Sequence, residues 1–268
     1  MPSRMKSRNV LALFLCTAVA LTISSACIKA EPVASIQLVV APSSLPKQDT
    51  QQVGQEQLED TVDTYSQEIQ LNPQNADAFL QRGLAYHDLG NYGQAIDDFS
   101  TALQIRPNHL ETLYHRGEAY SHTPNTNAAI ADLTQAITLE PNFVKAYVDR
   151  SILFAITGQL SLALNDLNKA VGLEPDNADA YYNRGKVNLE IGDTEAALSD
   201  FTASIDLAPE LAEAYGNRGL LYSQLGNAHM ALADLQQAAA LFQARGDEQS
   251  YQQTLFFIQQ IQQAETVE

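Results

Sequence analysis

The sequence predicts an all-α chain built from stacked helical hairpins, and three observations carry that prediction. First, Arg82, Arg116, Arg150, Arg184 and Arg218 stand 34 residues apart without insertion or deletion. Pro73, Pro107, Pro141, Pro175 and Pro209 keep the same period, as do Asp98, Asp132, Asp166, Asp200 and Asp234. A period of this size marks a repeat architecture, in which each unit buries its apolar face only against its neighbours. Second, large residues recur at helical spacing inside the unit. With Ala76 as position 1, position 4 holds Phe79, Leu113, Tyr147, Tyr181 and Tyr215, and position 11 holds Tyr86, Tyr120, Phe154, Asn188 and Tyr222. Seven residues make almost two turns, so both positions share one helix face. Third, Gly or Ser at position 8 and Ala at position 20 remove bulk where two helices must approach closely. The length of 268 residues is therefore not to be divided into globular domains.

The chain begins with a separate segment, residues 1–26. Arg4, Lys6 and Arg8 precede an uncharged apolar run from Val10 to Ile23, and Ser24-Ser25-Ala26 supplies small residues. A basic start, a short apolar stretch and a small-residue exit describe an export signal. The apolar run falls short of the roughly 20 residues a membrane helix needs. Cys27 follows at once, and Ser-Ser-Ala-Cys resembles a bacterial lipoprotein box in which Ser24 replaces the usual Leu. Two outcomes stand open: lipidation of Cys27, or ordinary cleavage after Ala26. Export places the protein beyond the inner membrane, lipid-anchored in the first case and free in the second. Cys16 leaves with the signal, so Cys27 has no disulfide partner within the mature chain. Residues 27–54, with Pro32, Pro42 and Pro46 and no helical periodicity, read as a flexible tether.

The array follows. Residues 55–75 form a half unit, phased as a second helix with Tyr65 at position 24. Five full units cover 76–109, 110–143, 144–177, 178–211 and 212–245. Gly90, Gly158, Gly192 and Gly226 at position 15 end the first helix of their units, as C-terminal glycines do. Pro at position 32 closes the second helix of the first four units. Unit 2 has Pro124 where the others have Gly, so its first helix should stop just before it. Unit 5 lacks the closing Pro, and its second helix runs on to Ala244. Residues 246–268 carry Tyr251, Leu255, Ile258 and Ile261 on one face, which suits a helix capping the open end of a stack.

With aromatic, Gly, Tyr, Ala, Phe and Pro at these offsets, residues 76–244 resemble the tetratricopeptide repeat family. The resemblance implies a right-handed α-solenoid of helix-turn-helix units and a protein-interaction scaffold without catalytic activity or cofactor. It also implies that positions 2, 5, 9, 12 and 13 of the first helices line a concave partner-binding face. In the first two units these include Leu80, Leu84 and Tyr114, and in the third Lys145, Val148, Ile152 and Ile156. In the last two they include Tyr182, Lys186, Leu189 and Leu220. Exposed apolar residues gathered in a groove mark a partner site. Chaperone-binding members of the family hold a C-terminal carboxylate with several Lys, Arg and Asn. Here Lys145, Lys186, Asn183 and Asn217 offer such groups, spread over three units.

Position 7 is usually apolar in that family, so an arginine in every unit needs a reason. Position 7 lies eight residues before the hairpin turn, and Asp at position 23 lies eight after it. Each arginine can reach the aspartate of its own unit, of the preceding unit, or both. Its planar fork suits carboxylates better than a lysine would. The matched aspartates make an ionic ladder the expectation, over a row of anion sites.

No phosphate loop, cysteine pair or nucleophile elbow occurs, so the chain is not read as an enzyme. The formal net charge of −17 repels nucleic acid, and loss of residues 1–26 deepens the imbalance. His115, Glu118 and His122 fall at i, i+3 and i+7, a spacing that offers the alternative of a metal or small ligand. Arg245-Gly246-Asp247 reads as one helix ending at Gly and the next capped by Asp. The expected partner is a protein or peptide, with membrane contact only through the N-terminus.

Overall fold

The computed structural model describes residues 48–265, and the signal, Cys27 and most of the tether lie outside them. Among the described residues the chain is entirely helical. Helix α1 (Gln48–Leu71) precedes five hairpins. They are α2 (Ala76–Asp88) with α3 (Tyr92–Ile105), and α4 (Leu110–Ser121) with α5 (Thr126–Leu139). Next come α6 (Val144–Ile156) with α7 (Leu160–Leu173), and α8 (Ala178–Ile191) with α9 (Thr194–Leu207). The last are α10 (Ala212–Gln224) and α11 (Ala228–Arg245), after which α12 (Glu248–Glu265) ends the array. Helix α1 starts at Gln48, inside the stretch read as tether, and takes the place of a second helix ahead of α2. None of these helices is long and apolar enough to cross a membrane.

Local chemistry sets each boundary. Gly90, Gly158, Gly192 and Gly226 all adopt positive φ, between 73° and 93°, where a side chain would clash with the backbone. Helix α4 stops at Ser121, ahead of Pro124. The residue before each closing proline leaves the helical region, with φ near −130° and ψ of 80–91° at Arg106, Glu140, Glu174 and Ala208. Asn75, Asn177, Asp193 and Asn227 accept backbone N–H bonds at the starts of α2, α8, α9 and α11. Gly246 ends α11 with φ 77°, and Asp247 accepts from the Ser250 N–H at 3.0 Å. The Arg-Gly-Asp tripeptide is thus a helix junction.

Every helix packs on its sequence neighbours, and the apolar core is a string of small clusters instead of one centre. Leu113, Leu133 and Leu153 bridge units 2 and 3, while Phe201 and Leu221 bridge units 4 and 5. Position 8 shows why the small residue is needed. A Cβ on Gly185 would stand 2.8 Å from Cε1 of Phe201, but one on Gly117 would stand 3.1 Å from Cγ of the slimmer Leu133. In unit 3, where Leu167 takes the Phe position, Ser151 fits fully buried and donates to the Val148 carbonyl at 2.6 Å. Gly185→Ala should therefore cost about 1–3 kcal/mol of stability, the range for overpacking a core. Gly117→Ala should cost less, and paired urea titrations read the difference.

The arginines resolve into a ladder. Each guanidinium places Nε and Nη2 on the aspartate of its own unit, as Arg150 does on Asp166 at 2.7 and 2.8 Å. The preceding unit supplies a second acceptor to Nη1, and it is not the aspartate. Ser66, Ser100, Thr134, Asn168 and Thr202 at position 25 accept at 2.9–3.1 Å from Arg82, Arg116, Arg150, Arg184 and Arg218. Each of these arginines lies within 6 Å of the centre of an aromatic ring on its own helix, such as Tyr147 and Phe154 for Arg150. One cation thus ties a first helix to both flanking second helices. The aspartates are buried and neutralised in place, so this row is not a set of anion sites.

Candidate functional site

First helices approach one another directly, α2 with α4, α4 with α6 and α6 with α8, and no second helices do so to the same degree among the described residues. The first helices therefore line the inner side of the curved stack. Hydrogen bonds between them agree with that geometry: Tyr114 on α4 reaches Asp149 on α6, and Asn217 on α10 donates to the Tyr182 hydroxyl on α8 at 3.2 Å.

The groove residues expected from sequence separate into layers. Leu80, Tyr114, Val148 and Asn217 are buried. Leu84, Tyr182, Asn183, Lys186, Leu189 and Leu220 are half-buried. Lys145, Ile152 and Ile156 are exposed, the two isoleucines at 37% and 43%. Asn183 donates to the Asp179 carbonyl of its own helix, and the Lys186 ammonium lies 5.3 Å from the Tyr182 ring centre. Burial pushes that ammonium below its usual range, with Glu190 opposing. Lys145, Lys186, Asn183 and Asn217 are thus divided between exposed, half-buried and buried layers.

Position counting misses a polar cluster at the α4–α6 step. The Tyr114 hydroxyl lies 2.9 Å from Glu118 Oε1 and 2.8 Å from Asp149 Oδ2, so one proton serves two carboxylates. His115 Nδ1 is 2.7 Å from Glu118 Oε2. Burial pushes Glu118 up, but the hydrogen bonds from His115 and Tyr114 win and hold it below the usual range. Asp149 moves the other way, to about 6, through burial and the charges of Glu118 and Asp179. Burial also raises Tyr114.

The metal-binding alternative fails on this geometry. His115 is turned to Glu118, whereas His122 stacks on Tyr92 at 4.2 Å between ring centres, 4° from parallel. His122, just past the end of α4 at Ser121, packs against Tyr92 and His87 instead. Among the described residues no group of three His, Cys, Asp or Glu side chains is arranged to hold a metal ion.

Comparison with known proteins agrees with the helical architecture. No curated protein matches. A solved structure of MamA is 25% identical, with 62% of this chain and 96% of that one covered at a TM-score of 0.56. YrrB, described as a TPR protein with an unusual peptide-binding site, is 21% identical over 66% of this chain and 91% of its own, at 0.54. TTC0263, a thermophilic TPR protein of Thermus thermophilus, is 22% identical over 68% and 99%, at 0.57. Models of the tetratricopeptide repeat match residues 76–109, 110–143, 178–211 and 212–244, and a TPR repeat model matches 53–90 and 153–192. The four single-repeat matches coincide with the hairpins α2–α3, α4–α5, α8–α9 and α10–α11, and the chain belongs to the tetratricopeptide repeat family.

Proposed function

We propose that this protein is a non-catalytic interaction scaffold of the cell envelope, which holds a segment of a partner protein along the inner face of its first helices. The observation that carries the reading is the pair Ile152 and Ile156, exposed one turn apart on the inner side of α6. Aliphatic side chains in that position gain from being covered, by about 25 cal/mol for each Å² removed from water. Peptide binding by YrrB is in keeping with the reading, though at its level of identity the likeness speaks for the fold alone. The envelope assignment rests on the basic start, the apolar run and Ser-Ser-Ala-Cys at residues 24–27. A thioether-linked lipid on Cys27 would contribute about 0.8 kcal/mol of membrane affinity per buried methylene.

Two measurements test the two halves. Ile152→Ser with Ile156→Ser should abolish capture of partners from envelope extract and leave the helical spectrum intact, since both side chains are at the surface. Equal capture by the variant removes the groove reading. Cys27→Ala should move the protein from the membrane pellet to the soluble fraction and end incorporation of labelled fatty acid. A wild type already soluble, with an unmodified Cys27, removes the anchor.

A further inference from the structure

Cations are scarce on the inner face for a structural reason. Every arginine of the described residues is held by carboxylates: five in the ladder, Arg106 by Asp77, and Arg245 by Glu213 and Asp247. On that face Lys145 and Lys186 remain, and Lys186 is drawn down onto Tyr182. At the step between α4 and α6 the surplus of acid is concentrated. Asp149 on α6 faces Glu118 on α4 and feels Asp179 on α8, with the Tyr114 hydroxyl shared between the first two. His115, also on α4, is committed to Glu118. Lys145, one turn before Asp149, acts on it through space without closing to an ion pair. The raised titration of Asp149 fits a half-buried carboxylate with no cation against it.

Asp149, Ile152 and Ile156 stand at i, i+3 and i+7 on α6, hence along one side of the helix. We infer that the segment held on this face is basic: it sets a Lys or Arg side chain against Asp149 and Glu118 beside Tyr114, and an aliphatic side chain over Ile152 and Ile156. The inference rests on the groove reading proposed above and adds the chemistry of its occupant. From Asp149 to Ile156 the helix rises about 10 Å, at roughly 1.5 Å per residue. In an extended peptide, where alternate side chains share a face and repeat about every 7 Å, a basic and an aliphatic side chain two residues apart both face the groove, one at Asp149 and the other between Ile152 and Ile156. A terminal carboxylate, by contrast, would meet Glu118, Asp149 and Asp179 with like charge. Cation and carboxylate in such a half-buried setting also fix register, because a shifted segment leaves the acids unpaired.

Three short fluorescein-labelled peptides test this, each with Ser at every second position and, between the serines, Leu alternating with Lys, Gln or Glu, titrated against the protein by anisotropy. The Leu-Lys peptide should bind, and Asp149→Asn with Glu118→Gln should weaken it by roughly tenfold or more, the lower range for close interfacial charge pairs. Both changes keep side-chain shape, and circular dichroism checks that the fold survives. Asp206→Asn with Glu210→Gln, exposed residues at the end of α9 and in the turn beyond, alters net charge equally and should change affinity little. Equal weakening by that control assigns the binding to bulk charge and overturns the inference. Binding of the Leu-Gln peptide as tightly as Leu-Lys, lost with Ile152→Ser and Ile156→Ser, keeps the groove and rejects the basic occupant. Preference for the Leu-Glu peptide rejects it outright, and binding of none of the three overturns both readings.

Discussion

Arg150→Leu should lower stability by about 3–5 kcal/mol, the cost of stranding a buried charge when its partner is removed. The substitution takes two hydrogen bonds from Asp166, whose side chain is only 9% exposed, and one from Thr134 in the preceding unit. It also removes a cation lying 5.8 Å from the Tyr147 ring centre and 5.5 Å from that of Phe154. Among the described residues no other side chain donates to Asp166. Arg184→Leu should cost less, because Asn188 Nδ2 still donates to Asp200 at 2.9 Å. Replacing Arg150 and Asp166 together by Leu should recover most of the loss, since the pair's own desolvation cost disappears with it. Urea titrations of the two single variants and the double variant give all three values. A single variant as stable as wild type would mean that water compensates the carboxylate, and the ladder would then fix register without adding stability. The order of the two single variants is the sharper check, as it depends on one amide.

The ladder also shows what could be read in the sequence and what could not. Counting from the turn puts position 7 level with position 23, and the pairing within each unit follows from that. The second acceptor is equally periodic: Ser66, Ser100, Thr134, Asn168 and Thr202 are all small hydrogen-bonding residues at position 25. Its meaning needs the orientation of the guanidinium, whose Nη1 faces back to the earlier unit. Helix identity and order are legible because Gly at position 15 and Pro at position 32 act locally, through φ and through the residue before proline. The inner face is legible only as a set of positions. How deep each lies depends on how closely successive first helices approach, which no single unit encodes. Tyr114 is drawn into the seam by Asp149 35 residues away, while Ile152, one position type further round the helix, stays exposed. The start of α1 at Gln48 is a related case, since Gln48 to Gly54 carry few apolar residues to reveal the period.

Removal of residues 246–268 should have the largest effect of any deletion confined to one end. Helix α12 lays Ile258 against Leu235 and Ala239, with Tyr251, Phe257 and Ile261 around them. Tyr251 also packs near Phe242 and Ala212. Covering side chains of this size contributes about 1.5–3 kcal/mol each, so several kcal/mol go with the helix. Arg245 would keep Glu213 and lose Asp247. The damage should be graded along the stack. Units touch only their neighbours, so α10 and α11 should lose hydrogen-exchange protection first, and α2 to α5 should keep most of theirs. The bared face of α11 should also drive self-association, seen as a concentration-dependent shift in size-exclusion chromatography. A uniform fall in protection from α2 to α11 would contradict the graded picture. The ladder, which joins each first helix to the second helices on both sides, would then couple the units into one cooperative body.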